Sequence, residues 1–417
     1  TADRARPRVP RPQMFWIKAL YVLIYASYGA TSSYLTLYFR RVGLTNAEIG
    51  ILLAVQPLAM LVAGPGWSLL ADRFGIRNRL LTLVLGLSPL PYLAMMATTQ
   101  FSGLLALTVL SSVTMAPVNP LMDSAALAGL GAERHRYGSV RLWGSVGYAP
   151  VAWGTGLLIQ AFDIRLIFVL TAVLTLSACL VSLRLTQDRE ALPTAVGHAL
   201  GTLLRHPGWL GVMSSYFVAM VLQGVAYGFA NLYMDQLGAS EGLMGFAQAL
   251  SSVGQILVMA TVLPRALLRW GSERLLIVSL LFYGAKLGIW VVAPHPWAVG
   301  LSQLLNGVSF GAAAVAAVDY AARNAPPGLE VTSQSIATGL VSGLGRAAGS
   351  SLGGALYDGA GARATFGLFA ALGVLAAGAY RVLWAGLFRV RPCVAGQTAA
   401  VPPTGAESDP PAPSGRR

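Results

Sequence analysis

The chain has 417 residues, of which 55% are hydrophobic and only 11% charged, and its formal net charge is +13. A mean hydropathy of +0.62 exceeds what a water-soluble surface tolerates, so a polytopic membrane protein is expected. The arginines fall in short clusters between apolar spans, which excludes a nucleic-acid partner, and the two cysteines, Cys179 and Cys393, form no disulfide framework or metal spacing, so no cofactor is expected.

Residues 1–13 are basic and proline-rich, with no cleavage site behind an apolar core, and are expected to form a cytoplasmic N-terminal tail. Apolar segments of roughly 20 residues, the length that crosses a bilayer, come next. They lie at 15–39, 46–71, 80–98, 101–128, 142–162 and 164–185. A polar stretch, 186–207, is a cytoplasmic linker to six more, at 208–234, 243–264, 275–293, 296–322, 331–357 and 364–388. Each must be helical, because lipid satisfies no backbone hydrogen bond. The expected fold is an all-α membrane protein of twelve transmembrane helices in two pseudo-symmetric six-helix bundles, 14–185 and 208–390, with a disordered cytoplasmic tail over 391–417.

Orientation follows from the loops. Arg4, Arg6, Arg8, Arg11, Lys18, Arg73, Arg77, Arg79, Arg134, Arg136, Arg189, Arg205, Arg265, Arg269, Arg274 and Arg389 fall on one side, against Arg40, Arg41, Arg165 and Arg363 on the other. The richer side is cytoplasmic, and both termini lie on it.

An internal repeat runs through this pattern. A shift of 195 positions superposes Gly29 on Gly224, Leu37 and Tyr38 on Leu232 and Tyr233, Gly43 on Gly238, Thr45 on Ser240, Gly50 on Gly245, and Arg79 on Arg274. Matches at one offset across a loop and two helices argue duplication. Two related bundles with a site between them near mid-membrane are the architecture of an alternating-access carrier. Glu48 and Glu241, at corresponding ends of the two halves, are expected in solvent.

Ionisable groups inside apolar spans mark the site, because a lone carboxylate there costs several kcal/mol and needs a named partner. Asp123 and Arg141 flank a basic loop and are the obvious pair. A pair that only ties two helices together is the plain alternative. Trp143, Gly144, Ser145 and Gly147 beside it read as packing residues. In the second half Lys286 and Arg346 lie within spans, while Asp319, Glu330 and Asp358 sit near helix ends. Two buried cations without a counter-ion suggest a visiting carboxylate. Gln223, Asn231, Gln255 and Asn306 are candidate hydrogen-bonding groups, and Tyr28, Tyr34, Tyr148 and Tyr227 a candidate stacking wall. Snorkelling of Lys286 and carbonyl bonding by Arg346 are the plain alternatives.

The loop Trp67 to Arg79 resembles the signature loop of the major facilitator superfamily. Asp72, Arg73, Gly75, Arg77 and Arg79 match its acid, glycine and bases, and Ser68 stands where the family has its first glycine. The resemblance implies a gating loop whose contacts bias one carrier conformation. The stretch Tyr137-Gly-Ser-Val-Arg141-Leu-Trp-Gly144, with Asp123 placed 18 residues before Arg141, is similar to the branch containing the phenylpropionate transporter and lactose permease. There the matching acid, arginine and aromatic hold sugar, which implies a substrate role for Asp123, Arg141 and Tyr148. Where lactose permease couples to protons, this chain has Gln255, Asn306, Ser309 and Lys286, and the first three cannot carry a proton near neutral pH. Asp123 is left as a candidate proton carrier, so proton coupling stays open.

These readings point to a secondary active transporter in the bacterial cytoplasmic membrane, a monomer, whose partners are a small-molecule substrate, lipid and a candidate proton. An aromatic or other carboxylate is the expected substrate. A sugar or nucleoside permease and a drug or metabolite exporter are the alternatives. A membrane-embedded enzyme would need a His/Asp, Cys/His or paired-acid constellation, which is not found beyond Asp123 and Arg141.

Overall fold

The computed structural model describes residues 11–185, 203, 207–325 and 330–386, and among them the chain is helical without a strand. The expected tails and most of the linker lie outside the described residues. The helices are α1 (Arg11–Thr31), α2 (Leu35–Arg41), α3 (Asn46–Phe74), α4 (Arg77–Leu87), α5 (Pro89–Ala94), α6 (Phe101–Met115), α7 (Val118–Leu130), α8 (Tyr137–Ala161) and α9 (Leu166–Ser182). After the linker come α10 (Pro207–Gln236), α11 (Glu241–Leu257), α12 (Leu263–Val292), α13 (Pro296–Ser302), α14 (Asn306–Arg323), α15 (Glu330–Ser335) and α16 (Ser342–Gly386).

Among the described residues, seven stretches are long and apolar enough to cross a membrane: Asn46–Ala71, Arg77–Ala97, Phe101–Leu130, Pro207–Gln236, Glu241–Val292, Pro296–Arg323 and Thr332–Val382. Two of them, at 52 and 51 residues, would each span nearly 80 Å as one helix, against a hydrocarbon core of about 30 Å. A glycine breaks each run, Gly271 at φ +78° and Gly361 at φ +81°, a backbone region closed to most side chains. The expected first span, 15–39, is also interrupted. Ser32, Ser33 and Tyr34 form a turn between α1 and α2, and Asn231 of α10 donates its amide to the Ser33 carbonyl that the turn frees. Inside lipid such a break survives only when a neighbour satisfies it.

The repeat seen in the sequence recurs as hydrogen bonds. Gly43 and Gly238 both have positive φ, at 95° and 79°. Leu44 N–H donates to the Phe39 carbonyl at 3.1 Å, and Ala239 N–H to the Met234 carbonyl at 2.9 Å, so both helices end in the same glycine turn. Thr45 and Ser240 then cap the next helices. The Glu48 amide donates to Thr45 Oγ1 at 3.2 Å and the Leu243 amide to Ser240 Oγ at 3.3 Å. In the first cap Glu48 bonds back to the Thr45 amide at 2.8 Å.

Backbones touch where these helices pack. A Cβ on Gly29 would lie 2.7 Å from the Tyr148 carbonyl oxygen, and one on Gly147 would strike the Val22 carbonyl, so α1 and α8 admit no side chain there. The contact recurs between α10 and α16, where Gly224 meets the Arg346 carbonyl and Gly349 the Val221 carbonyl. The two sets of helices meet through α3 with α16 and α8 with α11. Near the Gly43 turn, Gly50 faces the Ser350 carbonyl and Gly354 that of Asn46, while Gly245 faces the Ala152 carbonyl and Gly156 that of Glu241. Asp358 adds a cap, accepting the α3 amides of Asn46 at 3.1 Å and Ala47 at 2.7 Å. Glu241, which the sequence reading puts in solvent, instead pairs with Arg41 and is mostly covered. The cause is the close α8–α11 crossing, which brings the α2 end against α11.

The same pairs part towards the loop that holds Asp72. Gly343 still lies 3.4 Å from the Pro57 carbonyl oxygen, but further along α3 Leu58, Met60, Val62, Leu69 and Leu70 are exposed, as are Val253 and Leu257 of α11 and Leu142 and Val146 of α8. All four pairing helices are irregular in this region or beside it. Pro57 and Pro65 interrupt α3, Pro150 lies in α8, and wide π turns follow α11 over Val258–Val262 and precede α16 over Ile336–Val341.

Gly147→Leu or Gly349→Leu forces a side chain into a backbone contact and is expected to destabilise the detergent-solubilised protein by about 1–3 kcal/mol. Gly154→Leu, where a Cβ meets open space, is expected to leave the thermal midpoint nearly unchanged.

Candidate functional site

Asp123 and Arg141 come together, but not as a two-pronged fork. Arg141 Nη1 alone reaches Asp123, at 3.4 Å from Oδ1 and 3.3 Å from Oδ2. Tyr21 of α1 donates its hydroxyl to Oδ1 at 2.5 Å, and Arg141 donates to the Tyr137 hydroxyl at 2.9 Å. The side chains are 50% and 30% exposed for Arg141 and Asp123, so the pair is reachable. Sequence reading missed Tyr21, Tyr25 and Tyr137. The available signal was spacing: Tyr21, Tyr25 and Tyr28 stand on one face of α1, with ring centroids 6.2 Å and 5.6 Å apart in turn.

Tyr28 continues that face and receives a hydrogen bond from Asn119 Nδ2 at 3.3 Å. One turn further, Ser32 and Ser33 meet three expected site residues. Tyr227 donates to Ser32 Oγ at 3.0 Å, Tyr148 and Ser33 share a bond of 3.1 Å, and Asn231 holds the Ser33 carbonyl. Gln248 also donates to Asn231 Oδ1 at 3.3 Å. The Asn231 amide is therefore committed on both sides in this state. Tyr34, expected in a stacking wall, is fully buried and donates to the Ala152 carbonyl at 2.6 Å between Gly156 and Gly245. It ties α8 to the α1–α2 break.

The second-half candidates form a separate cluster. Gln223 accepts the Tyr283 hydroxyl at 2.8 Å, and both are buried. Arg346 lies within electrostatic reach of Tyr283 and Tyr216. Its hydrogen bond is to the Ser342 carbonyl of its own helix, at 3.4 Å. Lys286 is 2% exposed, with its ammonium 5.9 Å from the Trp290 ring centroid. Asn306 is buried, while Gln255 is half-buried and reaches Met259 Sδ at 3.8 Å. Measured along its helix, Lys286 is about 9 Å from the end at Val292 and Arg141 about 6 Å from the opposite end at Tyr137. Arg141 and Lys286 therefore lie towards opposite ends of the helices and do not share one cluster.

In the loop expected to gate, the Asp72 side chain lies outside the described residues. Gly75 has φ +62°, which turns the chain between α3 and α4. Arg77 donates to Ser124 Oγ at 3.4 Å, next to Asp123, while the Arg73 guanidinium lies over the Phe74 ring at 5.9 Å and Arg79 is exposed. Among the described residues no group of three or more His, Cys, Asp or Glu is placed to hold a metal.

Residues 14–368 match the MFS_1 like family. The chain is 27% identical over 329 residues to the maltose permease of Geobacillus stearothermophilus, covering 78% of this chain and 83% of that protein. It is 28% identical over 322 residues to a probable 3-phenylpropionic acid transporter of Escherichia coli, covering 74% and 82%. Its fold resembles the crystal structure of a single-substitution mutant of the nucleoside transporter NupG, with a TM-score of 0.81 and 15% identity over 89% of this chain and all of that one.

Closure at the Gly43 end rests partly on the Asp358 cap, worth about 1 kcal/mol, a factor of about five in an equilibrium. In a background without Cys179 and Cys393, a cysteine at Ser33 is expected to react about fivefold faster with an impermeant maleimide added on the Gly43 side when Asp358→Ala is present.

Proposed function

The chain belongs to the MFS_1 like family of transporters, and from that premise we propose that it moves a small organic carboxylate across the bacterial inner membrane by alternating access. Twelve crossings are part of this proposal. The seven long apolar stretches count as nine once the two double-length runs are divided at Gly271 and Gly361. The α1–α2 unit, α8 and α9 complete the set. The recurring caps and glycine contacts support two bundles, 14–185 and 208–390, joined by the linker 186–207. Arginine-rich loops at the Asp72 end support cytoplasmic termini. On that orientation the closed Gly43 end is external, and the structure corresponds to an inward-facing state.

The carboxylate reading is carried by one observation. Arg346 and Lys286 have no carboxylate partner among the described residues, whereas Arg141 has Asp123 and Arg41 has Glu241. A cation held inside a membrane bundle without a counter-charge is costly, and an anionic solute removes that cost. The Tyr283 and Gln223 pair next to Arg346 supplies neutral hydrogen-bonding groups for it. Asp123 with its three tyrosines favours a second reading, a sugar or nucleoside permease, because a carboxylate accepts hydroxyl hydrogens well. Export of drugs or metabolites is a third reading.

Uptake of radiolabelled 3-phenylpropionate, maltose and uridine into proteoliposomes separates these readings. Arg346→Gln is expected to lower kcat/KM for the carboxylate by about ten- to a hundredfold, the worth of one charge-assisted bond. Saturable maltose or uridine uptake, with no carboxylate uptake, would overturn the proposal.

A further inference from the structure

Of the 29 basic residues in the chain only two are lysines, Lys18 and Lys286. Lys18 lies in the first helix with its ammonium 5.5 Å from the Trp143 ring centroid. Most arginines stand in loops or ion pairs, Arg346 apart. Among the described residues lysine thus stands at the most deeply buried basic position, and lysine differs from arginine in one respect that matters there: it can give up its proton.

The surroundings of Lys286 fit a group that does so. It is 2% exposed and makes no hydrogen bond or ion pair among the described residues. Its place in the bundle follows from its neighbours on the same face of α12. Ser279 donates to the Ser309 carbonyl at 2.5 Å, and Trp290 donates to Ser302 Oγ at 2.7 Å. These bonds fix the antiparallel register and set Lys286 opposite the turn that carries Gln303 and Asn306. Both are buried, and both are neutral amides that can accept from an ammonium or donate to a carboxylate.

The ionisable groups near this point are few. On α12 itself there is Tyr283, bonded to Gln223, and from α10 there is Tyr233, whose hydroxyl donates to the Trp290 carbonyl at 2.8 Å. Tyr216 of α10 and Arg346 of α16 stand beyond Tyr283, and Arg363 reaches Tyr233 from the Gly361 turn. The facing turn of α13 and α14 contributes serine and amides. No acid among the described residues acts on Lys286.

We propose that Lys286 is the proton site of the transport cycle: its amine takes up one proton when a substrate carboxylate binds and releases it when the substrate leaves. The inference rests on the carboxylate reading for its partner anion. The step balances as a neutral amine plus a hydronium ion from the water on the open side, giving an ammonium and water. One negative and one positive charge then cross together, so the loaded carrier bears no extra charge. Tyr283, three residues before Lys286 and bonded to Gln223, links this site to the Arg346 cluster. The anion thereby stabilises the ammonium.

The full chain with Lys18→Arg, labelled with lysine carrying 15N at Nζ and placed in nanodiscs, gives one lysine side-chain signal. Both amine and ammonium forms are expected to be seen below the pH at which free lysine titrates, with 3-phenylpropionate as the probe shifting the balance to ammonium. A signal that stays ammonium at every pH up to where free lysine titrates overturns the proposal. In proteoliposomes Lys286→Gln and Lys286→Arg are both expected to lose accumulation driven by a pH gradient, down to the level without one. Gradient-driven accumulation by Lys286→Gln equal to the unsubstituted chain also overturns it. If the unsubstituted chain moves no carboxylate, the carboxylate reading fails, and the lysine titration decides the proton site alone.

Discussion

Inside lipid a backbone amide or carbonyl has no water to turn to, and that constraint organises this molecule. Helices supply most of the bonds. Where the chain leaves the helix, a specific side chain takes over: Asn231 at the Ser32–Tyr34 turn, and Asp358 at the start of α3. Both replacements lie at the end where α3 meets α16 and α8 meets α11. The glycines at those crossings let carbonyls of one helix rest on the Cα atoms of the next. The seal is therefore made of backbone, with little side-chain volume to rearrange. Such joints can separate and re-form without repacking a core.

Polar groups follow the seam that this seal ends. Tyr21, Tyr25 and Tyr28 run along α1 from the Asp123 and Arg141 pair to the Ser32 and Ser33 turn, where Tyr148, Tyr227 and Asn231 close over it. A solute entering from the Asp72 end meets an ion pair first. Beyond it are hydroxyls and amides, with Arg346 and Lys286 held among neutral groups in the second half of the chain. The ion pair is the cheaper arrangement, since each charge offsets the other. A guanidinium without a carboxylate partner, as at Arg346, is the costly one, and an anionic solute of the proposed kind would offset that cost.

How much of this was legible depended on the range of the interaction. The glycine turns at Gly43 and Gly238, and the caps at Thr45 and Ser240, are local and could be read from a single offset. Asp123 and Arg141 could be paired because ionised groups in apolar spans need partners. Tyr21 was missed, because a tyrosine in a span reads as packing until its hydroxyl is seen on a carboxylate. Asn231 was read as a group for solute from its polarity in a span, and its bond to the Ser33 carbonyl of the broken helix could not be read that way. Glu241 was assigned to solvent because its sequence neighbours gave no sign of Arg41, which lies 200 residues away in the chain. Long-range closure of this kind leaves no local pattern.

Over offsets of 195 to 202 the scaffold recurs while the charges inside the spans do not. Offsets of 195, 198 and 202 relate the turns, the sealing glycines and the packing glycines of the two halves. No offset in that range places a charged residue opposite Arg141, Lys286 or Arg346. Their counterparts are glycines, serines, prolines, Thr338 and aliphatic side chains, with Tyr148 among those of Arg346. The division has a physical reason. Joints that close alternately at two faces work best when they are of similar strength, which duplication provides. A binding path gains selectivity from unlike walls, because a solute with one charged end and one apolar or hydroxylated end is fixed in orientation only when the groups it meets differ. The asymmetry of the charges therefore fits the solute proposed above, anionic at one end, and the symmetry of the glycines fits alternating closure.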